Sequence, residues 1–213
     1  MAEMMSIDLS KEIKVKLAKE DGTPIRNLFI GMNWGKNTYS GQDDFDVDLN
    51  CFVTDVNRKV TFPADIINYK FSQKHFSGVV EYSGDNRDGS DNVGVNYNGK
   101  HYDEAMYVHT DKFPADKEVL TFFGSIYNAH KRYQNFGMIG NARIDIIDMD
   151  DPSTSYFLDL SNEDDFEDLT ALVFIEIRKT SSGCKLIKMS KGYTGGTKEI
   201  YSNFGMQISG DDY

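Results

Sequence analysis

Cysteine is nearly absent from this 213-residue chain: Cys51 and Cys184 stand far apart, and neither belongs to a C-x-x-C pair. Thiolate zinc sites and dithiol redox chemistry are thereby excluded. Histidine is also sparse, and His75, His101, His109 and His130 show no HxxxH or HExxH spacing. No Walker phosphate loop and no GxSxG elbow occur, so nothing points to nucleotide hydrolysis or a serine nucleophile. The single tryptophan, Trp34, offers little stacking surface for a saccharide. Paired carboxylates hydrolyse sugars, but acidic residues are too numerous here for a pair to carry meaning. The expectation is a protein that is not an enzyme.

Long apolar runs are missing as well. Nowhere do 18 consecutive apolar residues occur, and the stretch MAEMMSIDLS lacks a basic region followed by an apolar one. Neither a transmembrane segment nor a signal peptide is indicated, and a cytoplasmic location is expected. Positive charge is in deficit, with 23 basic against 34 acidic residues and a net charge of −11. Such a surface repels nucleic acid and anionic membranes unless a bound cation screens it, so nucleic acid is excluded as a partner. No Pro/Gly/Ser-rich linker divides the chain, which is read as one domain over 1–213.

What is present is strand pattern. Short or alternating apolar runs fall at 13–17, 28–32, 45–53, 119–127, 142–147, 155–160, 172–177 and 184–189, separated by turn signals such as Asp21-Gly22, Asp88-Gly89, Asn98-Gly99 and Ser182-Gly183. Eight or more strands of this kind favour an all-β, two-sheet sandwich. Helical periodicity is confined to the segment after Gly195-Gly196, where Ile200 and Phe204 are four apart, which predicts a short C-terminal helix. Lys11, Lys14, Lys16 and Lys19 form a basic stripe in which Lys14 and Lys16 stand opposite Ile13, Val15 and Leu17, as on the solvated face of a strand.

Carboxylates are the other abundance. In DDFDVDLN, Asp44, Asp46 and Asp48 share one strand face, while Phe45, Val47, Leu49 and Cys51 share the other and form a core face. Like charges about 7 Å apart repel by about 0.6 kcal/mol in water and about 2.4 kcal/mol at an effective dielectric of 20. Either something offsets that repulsion or the face is solvated. SGDNRDGSDN supplies Asp85, Asn86, Asp88, Asp91 and Asn92 between glycines, a set of hard oxygen donors of the kind calcium takes. It is equally a polar surface loop of turn-forming residues. EF-hand spacing is absent from both stretches. Glu176, within TALVFIEIRK, shares strand parity with Leu172 and Phe174 and needs a partner: Arg178, Lys185 or a metal ion.

Several blocks together resemble the TerD family of tellurite-resistance and stress-response proteins. GMNWG is similar to the family's GLGWD, DDFDVDLN to its DFDLDAS, and SGDNRDG to its TGDNLTGEGDGDDE. FPADKEVLTFFGSIYNAHKRYQNFGMIGNARIDIID follows its PADVDKIVFVVTIHDA, NFGQV and NAFIRVVN run, and GYTGGTKEIYSNFGMQI follows its closing GYAGGLxxLxxNFGVxV. The blocks run in order from Ile7 to Ile208. The resemblance implies a β-sandwich binding two calcium ions through acidic loops at one end, without enzymatic activity. It also implies a cytosolic protein linked to resistance to tellurite, oxidative stress, phage and colicins. Its partners would be other stress-response proteins, in complexes at the inner membrane surface.

Carried over by position, the metal ligands are Asp46, Asp48, Asp85, Asn86, Asp103, Glu104 and Glu176, with Asp88 and Asp91 substituting inside a longer loop. The chain departs from the family at Gly35 and Asn128, where aspartates are usual, and fewer charges imply weaker calcium binding. The leading reading is a calcium-stabilised scaffold for protein complexes. A calcium-dependent membrane-surface module, its ion bridging carboxylates to lipid phosphates, is the alternative.

Overall fold

A computed structural model describes residues 5–8, 14–39, 41–160 and 166–208. Its first strands are β1 (Met5–Asp8), β2 (Lys14–Leu17), β3 (Asn27–Asn33), β4 (Val47–Thr54), β5 (Ile66–Ile67) and β6 (Val80–Tyr82). A small hairpin, β7 (Val95–Tyr97) and β8 (Lys100–Tyr102), precedes β9 (Glu104–His109) and β10 (Val119–Ile126). One helical turn, α1 (Ala129–Arg132), is followed by β11 (Arg143–Asp148), β12 (Thr154–Asp159), β13 (Ala171–Thr180) and β14 (Gly183–Tyr193), and α2 (Gly196–Asn203) comes last. Lys11 and Ile13, expected on the first strand, and both ends of the expected 1–213 unit lie outside the described residues.

The strands form two six-stranded sheets, ordered β1-β12-β11-β3-β9-β6 and β2-β14-β13-β10-β4-β5, beside the β7-β8 hairpin. Neighbours are antiparallel except β1 on β12. Leu28, Ile30 and Met32 of β3 and Ile144 and Ile146 of β11 meet Leu49, Cys51 and Val53 of β4 and Leu120 and Phe122 of β10 in one buried core. That is the expected β-sandwich with its short C-terminal helix. Lys14 and Lys16 are exposed on the edge strand β2, where charge discourages pairing with another chain.

Both outer faces are partly covered, which the alternation did not foresee. The β7-β8 hairpin lies on one sheet, its Tyr97 stacked 4.1 Å from Phe29. Helix α2 lies on the other: Tyr201 and Phe204 sit 5.1 and 4.8 Å from the Phe52 ring of β4. Gly205, at φ 86°, ends this helix in the left-handed conformation that a helix C-terminus commonly needs. As a result all eight residues of β4 are buried. The aspartate-bearing face of this strand is therefore no solvated surface.

Candidate metal centre

Asp46 precedes β4, Asp48 lies within it, and Asp85 comes from the loop joining β6 to β7. One carboxylate oxygen from each falls within 4.8 Å of the others. The Tyr127 N–H donates to the Asp46 carbonyl at 2.8 Å, which fastens the turn after β10 to the start of β4. The three carboxylates, Tyr69, Tyr127 and Arg87 line an open cavity of about 250 Å³, in which Asp46 and Asp48 are buried and Asp85 and Arg87 exposed. Asp44, outermost on the same side, is exposed.

Electrostatics single out Asp48. It is buried, and among the described residues its carboxylate receives neither a hydrogen bond nor a salt bridge. Burial, then the negative charges of Glu104, Asp46 and Asp85, push its carboxyl well above the ordinary range. Burial also lifts Asp46 to about 6, opposed by Arg132, whose Nη1 stands 3.6 Å from its carboxylate. Asp85 is raised by burial and pulled back by Arg87. An unpaired buried carboxylate costs free energy unless it is protonated or given a cation.

Asn86 organises the loop that carries Asp85. Its amide donates to the carbonyls of Ser90 and Val93 and to the Asp103 carboxylate, and its oxygen accepts from the N–H groups of Asp88 and Gly89. Asp103 also accepts from the Trp34 backbone N–H at 3.0 Å. Gly89, at φ 64°, lies against the Trp34 indole, where a Cβ would stand 2.8 Å from Nε1. Glu104 accepts the N–H of Leu49 at 2.6 Å on one oxygen and that of Asn86 at 3.2 Å on the other. Burial nevertheless raises it well above its ordinary range.

Of the nine sequence-assigned ligands, the structure therefore gathers Asp46, Asp48 and Asp85. Glu104 backs Asp48 but is engaged by backbone N–H groups, and Asn86 and Asp103 clasp the loop. Asp88 is exposed and accepts from the Ser90 N–H, and Asp91 is exposed. Glu176 is elsewhere, its oxygens held by Arg58 and Arg178. Two features of strand geometry account for this. Register sets Glu176 opposite Thr121, which faces Phe52, four residues along β4 from Asp48 and so about 13 Å away. An irregularity between Val173 and Ile175 also breaks the parity with Leu172 and Phe174 and turns Glu176 off the core face. Two ions were expected, whereas one such carboxylate group is present among the described residues.

Sequence reasoning missed Tyr69, Tyr127, Arg87 and Arg132. Arg87 was visible between Asn86 and Asp88. Tyr127 was visible only as the end of the run 119–127, Arg132 lies in the single turn of α1, and Tyr69 lies in a bend, where no period forms. A further polar network was also unforeseen. Asn50 donates to the Asp48 carbonyl and to Ser125, and Asn68 donates to Asn50 and to the Tyr201 hydroxyl of α2. It borders a cavity of about 10 Å³, the space of one water.

The donor set suits calcium. The three carboxylates that could hold it offer hard oxygens, and Ca–O distances of about 2.3–2.6 Å allow oxygens on one ion to lie up to about 5 Å apart, which accommodates three oxygens that all lie within 4.8 Å of one another.

Residues 5–204 match the TerD domain. The chain is 31% identical over 205 residues to the tellurium resistance protein TerD of an Alcaligenes species, covering 96% of this chain and 100% of that one. It is 31% identical over 204 residues, with the same coverage, to general stress protein 16U of Bacillus subtilis. A crystal structure of a homologue of telluride resistance protein (TerD) from Streptomyces coelicolor superposes with a TM-score of 0.63 at 12% identity, over 86% of this chain and 99% of that one, and so shares the fold. Among the described residues no helix is long and apolar enough to cross a membrane.

Proposed function

The chain belongs to the TerD family, and on that premise we propose that it is a non-enzymatic stress-response protein of the tellurium-resistance type whose acidic cavity holds calcium. One observation carries the calcium reading: Asp48 is a buried carboxylate that no donor or cation contacts among the described residues, and it lines one cavity with Asp46 and Asp85. A bound dication supplies the missing positive charge. Asp46 and Asp48 hold it from the strand, and Asp85 holds it from the loop.

The chain's own residues then determine what the ion does. Asn86 and Asp103 keep the loop shaped so that Asp85 reaches the strand, and Glu104 joins the loop to β4 through the N–H groups of Asn86 and Leu49. Calcium would pin the loop to the sandwich and cancel part of the net charge of −11, preparing that end of the molecule to bind partner proteins in the cytoplasm. The reading is structural and electrostatic, with no bond-making step.

Binding to the folded state stabilises it by about 2.7 kcal/mol when free calcium is a hundredfold above Kd. For a domain of this size that is roughly 5–11 °C in Tm. Thermal melts in calcium and in chelator measure it. Identical midpoints, together with no bound metal in native mass spectra, would overturn the proposal.

A further inference from the structure

The aspartate cavity also presents the opposite charge. Arg87, exposed at its mouth, lines it and forms no hydrogen bond or salt bridge among the described residues. Arg132 behaves differently, being occupied by the carboxylates of Asp46 and Asp43 and the Asp44 carbonyl. Two phenols, Tyr69 and Tyr127, line the same space.

A site for a lone dication has no use for a guanidinium, which repels the ion and brings five N–H donors to a wall of carboxylates. About 250 Å³ also exceeds what one ion needs, since about 10–15 Å³ on the same measure holds a water. An oxyanion reconciles these features, because one of its oxygens can sit on the cation while others take the N–H groups of an arginine.

We propose that the cavity binds a cation together with a phosphate-type oxyanion, with Asp46, Asp48 and Asp85 on the cation and Arg87 on the anion. This rests on the calcium reading given above. The two ligands are then coupled: each raises the affinity of the other by the same factor.

Calorimetric titration of the full chain with calcium, with and without saturating methyl phosphate, tests it. Methyl phosphate is expected to tighten calcium binding about fivefold or more, the lower end for coupled sites. Arg87→Ala is expected to bind calcium at least as tightly as wild type when phosphate is absent and to lose the enhancement. Retained calcium binding also shows that the variant is folded. Calcium-dependent pelleting with phosphatidylcholine vesicles containing phosphatidic acid, absent with phosphatidylcholine alone, assigns the phosphate to a lipid headgroup. Enhancement by methyl phosphate without pelleting assigns it to a soluble ligand.

Calcium binding that ignores both phosphate probes overturns this inference and leaves the calcium reading intact. Enhancement that survives in Arg87→Ala overturns the assignment of Arg87. Absence of calcium binding under every condition overturns the calcium reading and this inference with it.

Discussion

Arg58 grips the buried carboxylate of Glu176 with two hydrogen bonds, Nε to Oε1 at 2.6 Å and Nη2 to Oε2 at 3.1 Å. Arg178 adds a third, Nε to Oε2 at 2.6 Å. The acid is thus fully neutralised by protein. Arg58→Ala removes charge-assisted bonds worth about 1.5–3 kcal/mol while Arg178 remains. Thermal melts should show a fall of roughly 3–10 °C, and the calcium-induced rise in Tm should be unchanged.

Asp48→Asn should have the reverse pattern. In chelator the variant is expected to melt above wild type, because a buried, repelled carboxylate becomes neutral at nearly constant shape. Its calcium response should disappear. Melting both proteins with and without calcium checks the two effects together.

The same carboxylates set a pH dependence. Asp46 is raised to about 6 in the folded protein from 3.8, and Asp48, Asp85 and Glu104 are raised as well. Between those values the folded state holds more protons than the unfolded one, so metal-free stability falls as pH rises. His75 and His109 are lowered, chiefly by burial, and act in the opposite direction. The informative quantity is therefore the difference between wild type and Asp48→Asn: in chelator, the advantage of the variant should grow from pH 5 to pH 7. Calcium should stabilise wild type more at pH 7 than at pH 5, since it needs ionised ligands.

Gly89→Ala tests the loop itself. The substitution meets a φ of 64° and a Cβ position 2.8 Å from the Trp34 indole nitrogen. A cost of about 1–3 kcal/mol is expected. Weakened calcium binding should accompany it, because the same loop presents Asp85. Chemical denaturation and a calcium titration measure both.

Lys117 and Asp65 form an ion pair at 2.7 Å with 5% and 1% of their side chains exposed. Burial raises the Asp65 carboxyl, but hydrogen bonds from Lys117, Thr61 and His75 outweigh it and hold the group below its ordinary range. Its contribution is present at neutral pH and lost as pH falls through the folded value. Lys117→Met strands the carboxylate and should cost about 3–5 kcal/mol at pH 7. The deficit should shrink at pH 4, where protonation relieves the stranded group.

The long regular strands were legible because alternation is a local property. The runs that predict β3, β4, β10, β11 and β12 lie within two residues of the observed ends, those for β13 and β14 stop three and four residues short at their C-terminal ends, and the periodicity of Ile200 and Phe204 locates α2. Short strands such as β5 and β6 hold too few residues to show a period. Nothing in β4 itself marks its cover by α2, so a solvated face stayed open for its even positions, whereas all of them are buried. At the site, Asp46, Asp48 and Asp85 were legible as clustered oxygens. Glu176 was misassigned because an irregularity two residues away changed the facing of its strand. Its partner Arg58 is 118 positions distant, beyond any local pattern.

The hydrogen bonds from the Asp48 carbonyl through Asn50 and Asn68 to Tyr201 make the floor of the carboxylate cavity and the seat of the C-terminal helix a single piece of architecture. Substitutions at the two places will not be independent. A change that loosens the helix reshapes the backbone presenting Asp48, and a change in the cavity is felt under Tyr201. Variants of Asn68 and Asp48 will therefore be non-additive in double-mutant cycles. Drift in either region is admissible only when the other drifts with it.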